Sequence, residues 1–119
     1  MRDSDRFLLV GVGGAGGRMA NQVAQATGGR LRAAALDTDF AAVAQLGLCQ
    51  QFRFGRSRFD GGGSGGNATL AQMAAEEEAD LLRKLFAEVQ IAIVVAGLGG
   101  GTGSGMTPVA LRVARDLNV

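Results

Sequence analysis

IAIVVAGLGGGTGSG, residues 91–105, is the stretch that decides the fold. Residues 91–96 are an unbroken apolar run, the pattern of a strand inside a parallel sheet. Gly99-Gly100-Gly101-Thr102-Gly103-Ser104-Gly105 then leads into a helical stretch that ends near Leu117. Strand, glycine loop and helix together make an anion site. Glycine lets the backbone approach a phosphate closely. Consecutive N–H groups converge on the anion, and the helix N-terminus adds partial positive charge. A second run, Gly11-Val12-Gly13-Gly14-Ala15-Gly16-Gly17, follows another apolar stretch at 7–12.

Outward from these runs the chain alternates. Strands are predicted at 7–12, 31–36, 51–54 and 91–96. Helices are predicted at 19–26, ended by Gly28-Gly29, and at 40–46, ended by Gly47. A long helix is expected over 70–89, because Leu70, Ala74, Leu81, Leu85 and Val89 share one face. Asn67 is its expected N-cap. The last helix starts at about Gly103 and carries Pro108 in its early turns. Residues 55–66 read as a long glycine-rich loop. Alternating strands and helices call for an α/β fold, a parallel sheet with helices on both faces. Ligands of such sheets bind at the carboxyl ends of the strands. Four turns fall at that edge: 11–17, 37–39, 61–67 and 97–105.

Composition narrows the function classes. A chain of 119 residues is about one domain. Residues 1–6 are expected to be a flexible terminus and 7–119 the domain. The net charge is +1, and Arg53, Arg56 and Arg58 read as a solvated segment rather than a nucleic-acid stripe. Cys49 is the only cysteine and there is no histidine, which leaves no disulfide framework and none of the usual zinc ligands. No membrane span or leader is read, so a cytoplasmic location is expected. Glu76-Glu77-Glu78 reads as a solvated face near a helix N-terminus, and Cys49 as a small core residue.

Gly11, Gly13 and Gly16 form a G-x-G-x-x-G, and Asp37 lies where a dinucleotide fold places its ribose-binding acid. An NAD-binding oxidoreductase domain is therefore an alternative, although it gives no role to Gly99–Gly105. Neither run ends in Lys-Ser or Lys-Thr, so a Walker-type loop is excluded. Gly61-Gly62-Gly63-Ser64-Gly65-Gly66 alone suits a flexible linker; between a strand and a capped helix it suits a loop that closes on a ligand.

G-V-G-G-A-G-G, D-T-D, G-S-G-G-N and G-G-G-T-G-S-G, in this order, resemble the nucleotide-binding half of the tubulin/FtsZ superfamily. The resemblance covers nearly the whole chain and implies GTP or GDP as ligand, with Mg²⁺. It implies a first phosphate loop at Gly13, Gly14, Ala15, Gly16 and Gly17, extended by Arg18, where Asn is common. Asp37, Thr38 and Asp39 resemble a second loop that usually reads Asn-Thr-Asp. Gly63, Ser64, Gly65, Gly66 and Asn67 resemble a third, usually Ala-Gly-Ala-Asn, near the terminal phosphate. Gly99, Gly100, Gly101, Thr102, Gly103 and Ser104, with Gly105, resemble a fourth that cradles the phosphates.

The resemblance further implies a filament-forming GTPase of bacterial division, with self-association as its mode of partnership. The acidic catalytic loop of that family lies downstream of the segment matched here, so no catalytic residue and no protein metal ligand is assigned. The chain is accordingly expected to be a fragment or truncated product with a half-built site, marginally stable or self-associating. A non-hydrolysing FtsZ-like interaction module is the other alternative.

Overall fold

The computed structural model describes residues 6–119, so the terminus expected to fray over 1–6 lies outside the described residues except for Arg6. The Arg6 carbonyl accepts the Gln90 N–H at 2.8 Å. The elements in chain order are β1 (Phe7–Val12), α1 (Gly13–Ala26), β2 (Arg32–Asp37), α2 (Phe40–Ala44), β3 (Gln50–Arg53), α3 (Arg56–Phe59), α4 (Ala68–Glu77), α5 (Ala79–Phe86), β4 (Ile91–Ala96) and α6 (Gly101–Asp116). The strands form one sheet in the order β3-β2-β1-β4, and every pairing is parallel.

Side-chain alternation along β1 sorts the two faces. Leu8, Val10 and Val12 join Phe54, Leu82, Phe86, Met106 and Val109 in the core under α4, α5 and α6. Leu9 points the other way and joins Ala20, Ala24, Val43 and Leu46 under α1 and α2. Cys49 is buried in this second core, where burial pushes its thiol pKa up. Helices thus cover both faces of a parallel sheet, as the alternation predicts. Ile91 and Ile93 of β4, in register with Phe7 and Leu9 of β1, are 50% and 53% exposed.

The structure departs from the sequence reading in three places. The helix expected over 70–89 is two helices, broken at Glu78 (φ −117°, ψ 33°). The Glu78 carboxylate accepts the Gly55 N–H at 2.7 Å, which ties the break to the end of the third strand's loop. Ala74 and Leu81 sit seven positions apart, a spacing that continues one helical face across the break and conceals it. The glutamates therefore lie at the C-terminal end of α4: Glu76 pairs with Arg112 and Glu77 with Arg58.

The loop expected over 55–66 contains the short helix α3, flanked by Gly55 (φ 77°) and Asp60 (φ 49°), both left-handed. A Cβ on Gly55 would stand 2.6 Å from the Phe59 ring, so glycine is what lets the ring fold back. Arg56 stacks over the Phe40 ring at 5.0 Å from its centroid.

Finally, α1 and α6 begin at Gly13 and Gly101, earlier than expected, and take most of their glycine runs into their first turns. Close approach explains this. A Cβ on Gly16 would lie 2.3 Å from the Val95 carbonyl oxygen, and one on Gly103 would lie 2.3 Å from that of Gly97. Both helices sit directly on the β4 segment because neither carries a side chain there.

Candidate functional site

All the strand-to-helix turns at the carboxyl edge of the sheet open on one cleft of about 610 Å³. It is lined by Val12, Gly13, Gly14, Ala15 and Arg18 from the first turn and by Asp37, Thr38, Asp39 and Ala42 from the second. Gly62 to Gly66 line it from the third, and Gly97 and Gly99 to Gly103 from the fourth. Of the residues expected at a site, Gly16, Gly17, Asn67, Ser104 and Gly105 are not among these. Gly16 and Gly17 are buried in packing, against Val95 and Leu46. The Asn67 side chain accepts the Leu70 N–H at 3.0 Å and caps α4. The Ser104 hydroxyl donates to the Leu98 carbonyl at 2.7 Å and fastens the fourth loop. Gly62 and Gly97 line the cleft from within the turns expected at this edge, whereas Ala42 lies outside them, and small size is its only sequence signal.

The helix starts in this cleft are of two kinds. Asp39 caps α2 through the Ala42 N–H (3.1 Å), and Asn67 caps α4. The N-termini of α1 and α6, preceded by Val12 and Gly100, have no side-chain cap. They also abut: a Cβ on Gly13 would be 3.0 Å from the Gly103 nitrogen. Two sets of unbonded N–H groups and two dipole ends therefore meet at one place, which is what an anion requires.

Side chains tie the loops together. Asp39 and Gly62 form an antiparallel bridge, and the Phe40 N–H donates to the Gly61 carbonyl at 2.9 Å. Thr38, fully buried, accepts the Ser64 N–H at 3.1 Å on its hydroxyl. The same hydroxyl lies 2.8 Å from that of Thr102, and the Ser64 hydroxyl is 3.5 Å from Thr102. One Asp37 carboxylate oxygen accepts the N–H groups of Thr38 (2.8 Å) and Asp39 (3.1 Å). Burial nonetheless raises the Asp37 pKa above the ordinary carboxylate value, and the Asp39 charge adds to this; the two N–H bonds and the Arg18 charge oppose it. Arg18 folds over the first loop, its guanidinium 3.2 Å from where a Gly14 Cβ would be. It also borders a smaller recess of about 140 Å³, with Asp37, Ala42 and Leu46. Among the described residues no three acids, cysteines or histidines cluster as a metal site, and no helix is long and apolar enough to cross a membrane.

Comparison with known proteins gives the following. Residues 6–119 match the GTPase domain of the tubulin/FtsZ family. The chain is 32% identical over 130 aligned residues to the cell division protein FtsZ of Haemophilus influenzae, covering 93% of this chain and 31% of that protein. Among solved structures it is similar to the GTPγS-bound protofilament of CetZ2 from Haloferax volcanii (TM-score 0.82, 32% identity, 93% of this chain and 36% of that one). It is also similar to an empty FtsZ dimer from M. jannaschii (TM-score 0.90, 26% identity, 95% of this chain and 33% of that one). The chain thus spans about a third of the length of these relatives.

Proposed function

The chain belongs to the tubulin/FtsZ family, within its GTPase domain, and from that premise we propose that its cleft holds the phosphates of a guanine nucleotide, GTP or GDP. The observation that carries this reading is the meeting of two uncapped helix N-termini, α1 and α6, in one cleft. Gly13, Gly14, Gly99, Gly100 and Gly101 present backbone there, and Thr102 presents a hydroxyl. The cleft lining contains one cationic side chain, Arg18, and no lysine, so phosphate affinity rests on peptide N–H groups. Asp37 and Asp39 are its carboxylates, and Mg²⁺ carried by the polyphosphate offsets their charge.

The remaining assignments follow from kinship. The whole protein is a filament-forming division GTPase of the cytoplasm, self-associating as its relatives do in protofilaments and dimers. The present segment supplies the phosphate cradle. Hydrolysis in such a site depends on positioning and charge stabilisation, to which this segment contributes Thr102 and the loop amides.

The test is a calorimetric titration of the chain with GTP, GDP, ATP and NAD, with and without Mg²⁺. Guanine nucleotides are expected to bind most tightly, and more tightly with the metal. Preference for NAD would overturn the reading.

A further inference from the structure

We propose that Ser64 is a positioning residue: it orients the Thr102 hydroxyl toward a bound phosphate through a relay of hydroxyls shared by three loops. The proposal rests on the anion-binding reading of the cleft and goes beyond it to a residue that acts through another.

Thr38, Ser64 and Thr102 come from the second, third and fourth loops, and all line the cleft. A hydroxyl has one proton and two acceptor sites. On Thr38 one acceptor site is already taken by the Ser64 N–H, at 3.1 Å. The 2.8 Å contact between Thr38 and Thr102 runs in either direction. If Thr102 donates, its lone pairs face the cleft and repel an anion. If Thr38 donates, the Thr102 proton is free for an acceptor. Without an anion, the Ser64 hydroxyl is within reach at 3.5 Å, a contact at the limit of a hydrogen bond that either hydroxyl can donate; in the relay it is Ser64 that accepts. A phosphate oxygen is a stronger acceptor and takes that proton instead.

By accepting that proton, Ser64 holds the relay in the donating direction before the anion arrives. It is about nine-tenths buried, and its hydroxyl lies beside the start of α6, 2.6 Å from where a Gly101 Cβ would stand, a place open to it only because residue 101 is glycine. The Ser64 N–H, bonded to Thr38, reports the direction of the relay from the opposite end.

The experiment titrates the full chain with inorganic pyrophosphate, followed by calorimetry and by amide NMR. In the wild type, the amide resonance at position 64 is expected to shift together with that of Thr102. Ser64→Ala, which keeps the N–H bond to Thr38, is expected to bind pyrophosphate about five-fold more weakly with an unchanged melting temperature. Thr102→Val should weaken binding at least as much and abolish the shift at position 64. The double variant should bind like Thr102→Val alone, because Ser64 acts only through Thr102. Unchanged affinity in Ser64→Ala, additive losses in the double variant, or a silent resonance at position 64 would each overturn the relay. So would a wild-type chain that binds no pyrophosphate. Pyrophosphate binding without preference for guanine nucleotides would instead overturn the nucleotide assignment and leave the relay standing.

Discussion

Gly105 and Ala68 touch backbone to backbone: a Cβ on Gly105 would stand 2.1 Å from the Ala68 carbonyl oxygen. The contact seats α6 against the first turn of α4, just behind the third loop. Of the glycines between 99 and 105, Gly101, Gly103 and Gly105 all meet backbone within 2.5 Å of an added Cβ, whereas Gly99 and Gly100 meet nothing within 4 Å. One run thus serves two purposes, packing at its later positions and access at its first two.

Alanine substitution separates these purposes. Gly105→Ala is expected to destabilise the fold by about 2 kcal/mol or more, since backbone on both sides must move. Gly100→Ala, at φ −100° and with open space around it, should melt within about 0.5 kcal/mol of the wild type. Gly100 lines the cleft, and with a methyl group added there nucleotide affinity should fall roughly ten-fold, as for a lost hydrogen bond to a charged group. Thermal melts and titration of both variants check this. Equal binding by Gly100→Ala and the wild type would count against the phosphate assignment.

Asp37→Asn keeps an oxygen for the Thr38 and Asp39 N–H groups while removing a buried charge. Burial raises the Asp37 pKa in the folded chain, so the native state holds its proton more tightly than the unfolded state does. The stability this contributes is fully present below the ordinary carboxylate value of 3.8 and is lost as pH rises through the raised value. As pH rises from below 3.8 through the raised value, the wild type should therefore lose stability relative to Asp37→Asn. Above the raised Asp37 pKa and without Mg²⁺, the variant should bind pyrophosphate roughly five-fold more tightly, because one like charge has gone. Melting curves across pH and metal-free titrations measure the two effects.

The legible parts of this molecule were those written in side chains. The apolar runs at 7–12 and 91–96 became β1 and β4 at those bounds, and Asn67 caps the helix expected to follow it. What the sequence hid lies in the backbone. Glu78 breaks a helix whose apolar face continues unbroken in register, because its carboxylate finds the Gly55 N–H. Gly16 and Gly101 read as loop glycines but are helical, since nothing in a glycine distinguishes closeness to neighbouring backbone from closeness to a ligand. The Thr38–Thr102 contact joins residues 64 positions apart, beyond the reach of local pattern.

The Glu78 tether and the Asn67 cap hold opposite ends of α4, and their removal should differ in kind. Asn67→Ala is expected to cost about 1 kcal/mol of stability, the usual worth of a cap. Glu78→Gln retains an acceptor for Gly55 and should be milder than Glu78→Ala, which leaves the partly buried Gly55 N–H unpaired. Denaturant titrations that ranked Glu78→Gln as the worse variant would contradict this.

Isoleucines 91 and 93 lie half-exposed on a strand that is hydrogen-bonded along one side only among the described residues. The chain by itself should associate at high concentration, and Ile93→Lys should reduce that tendency without changing pyrophosphate affinity. Light scattering against concentration tests this, and a wild-type chain that stays monodisperse would oppose it.

The uncapped starts of α1 and α6 have a consequence for how such a protein changes over time. A receptor made largely of peptide groups has few side chains to lose, so substitution scans would find its packing before they found most of its chemistry. Its surroundings can drift far in sequence while the receptor itself stays the same. Amide-to-ester replacement in the first turns of α1 and α6 would delete single donors directly, leaving every side chain in place.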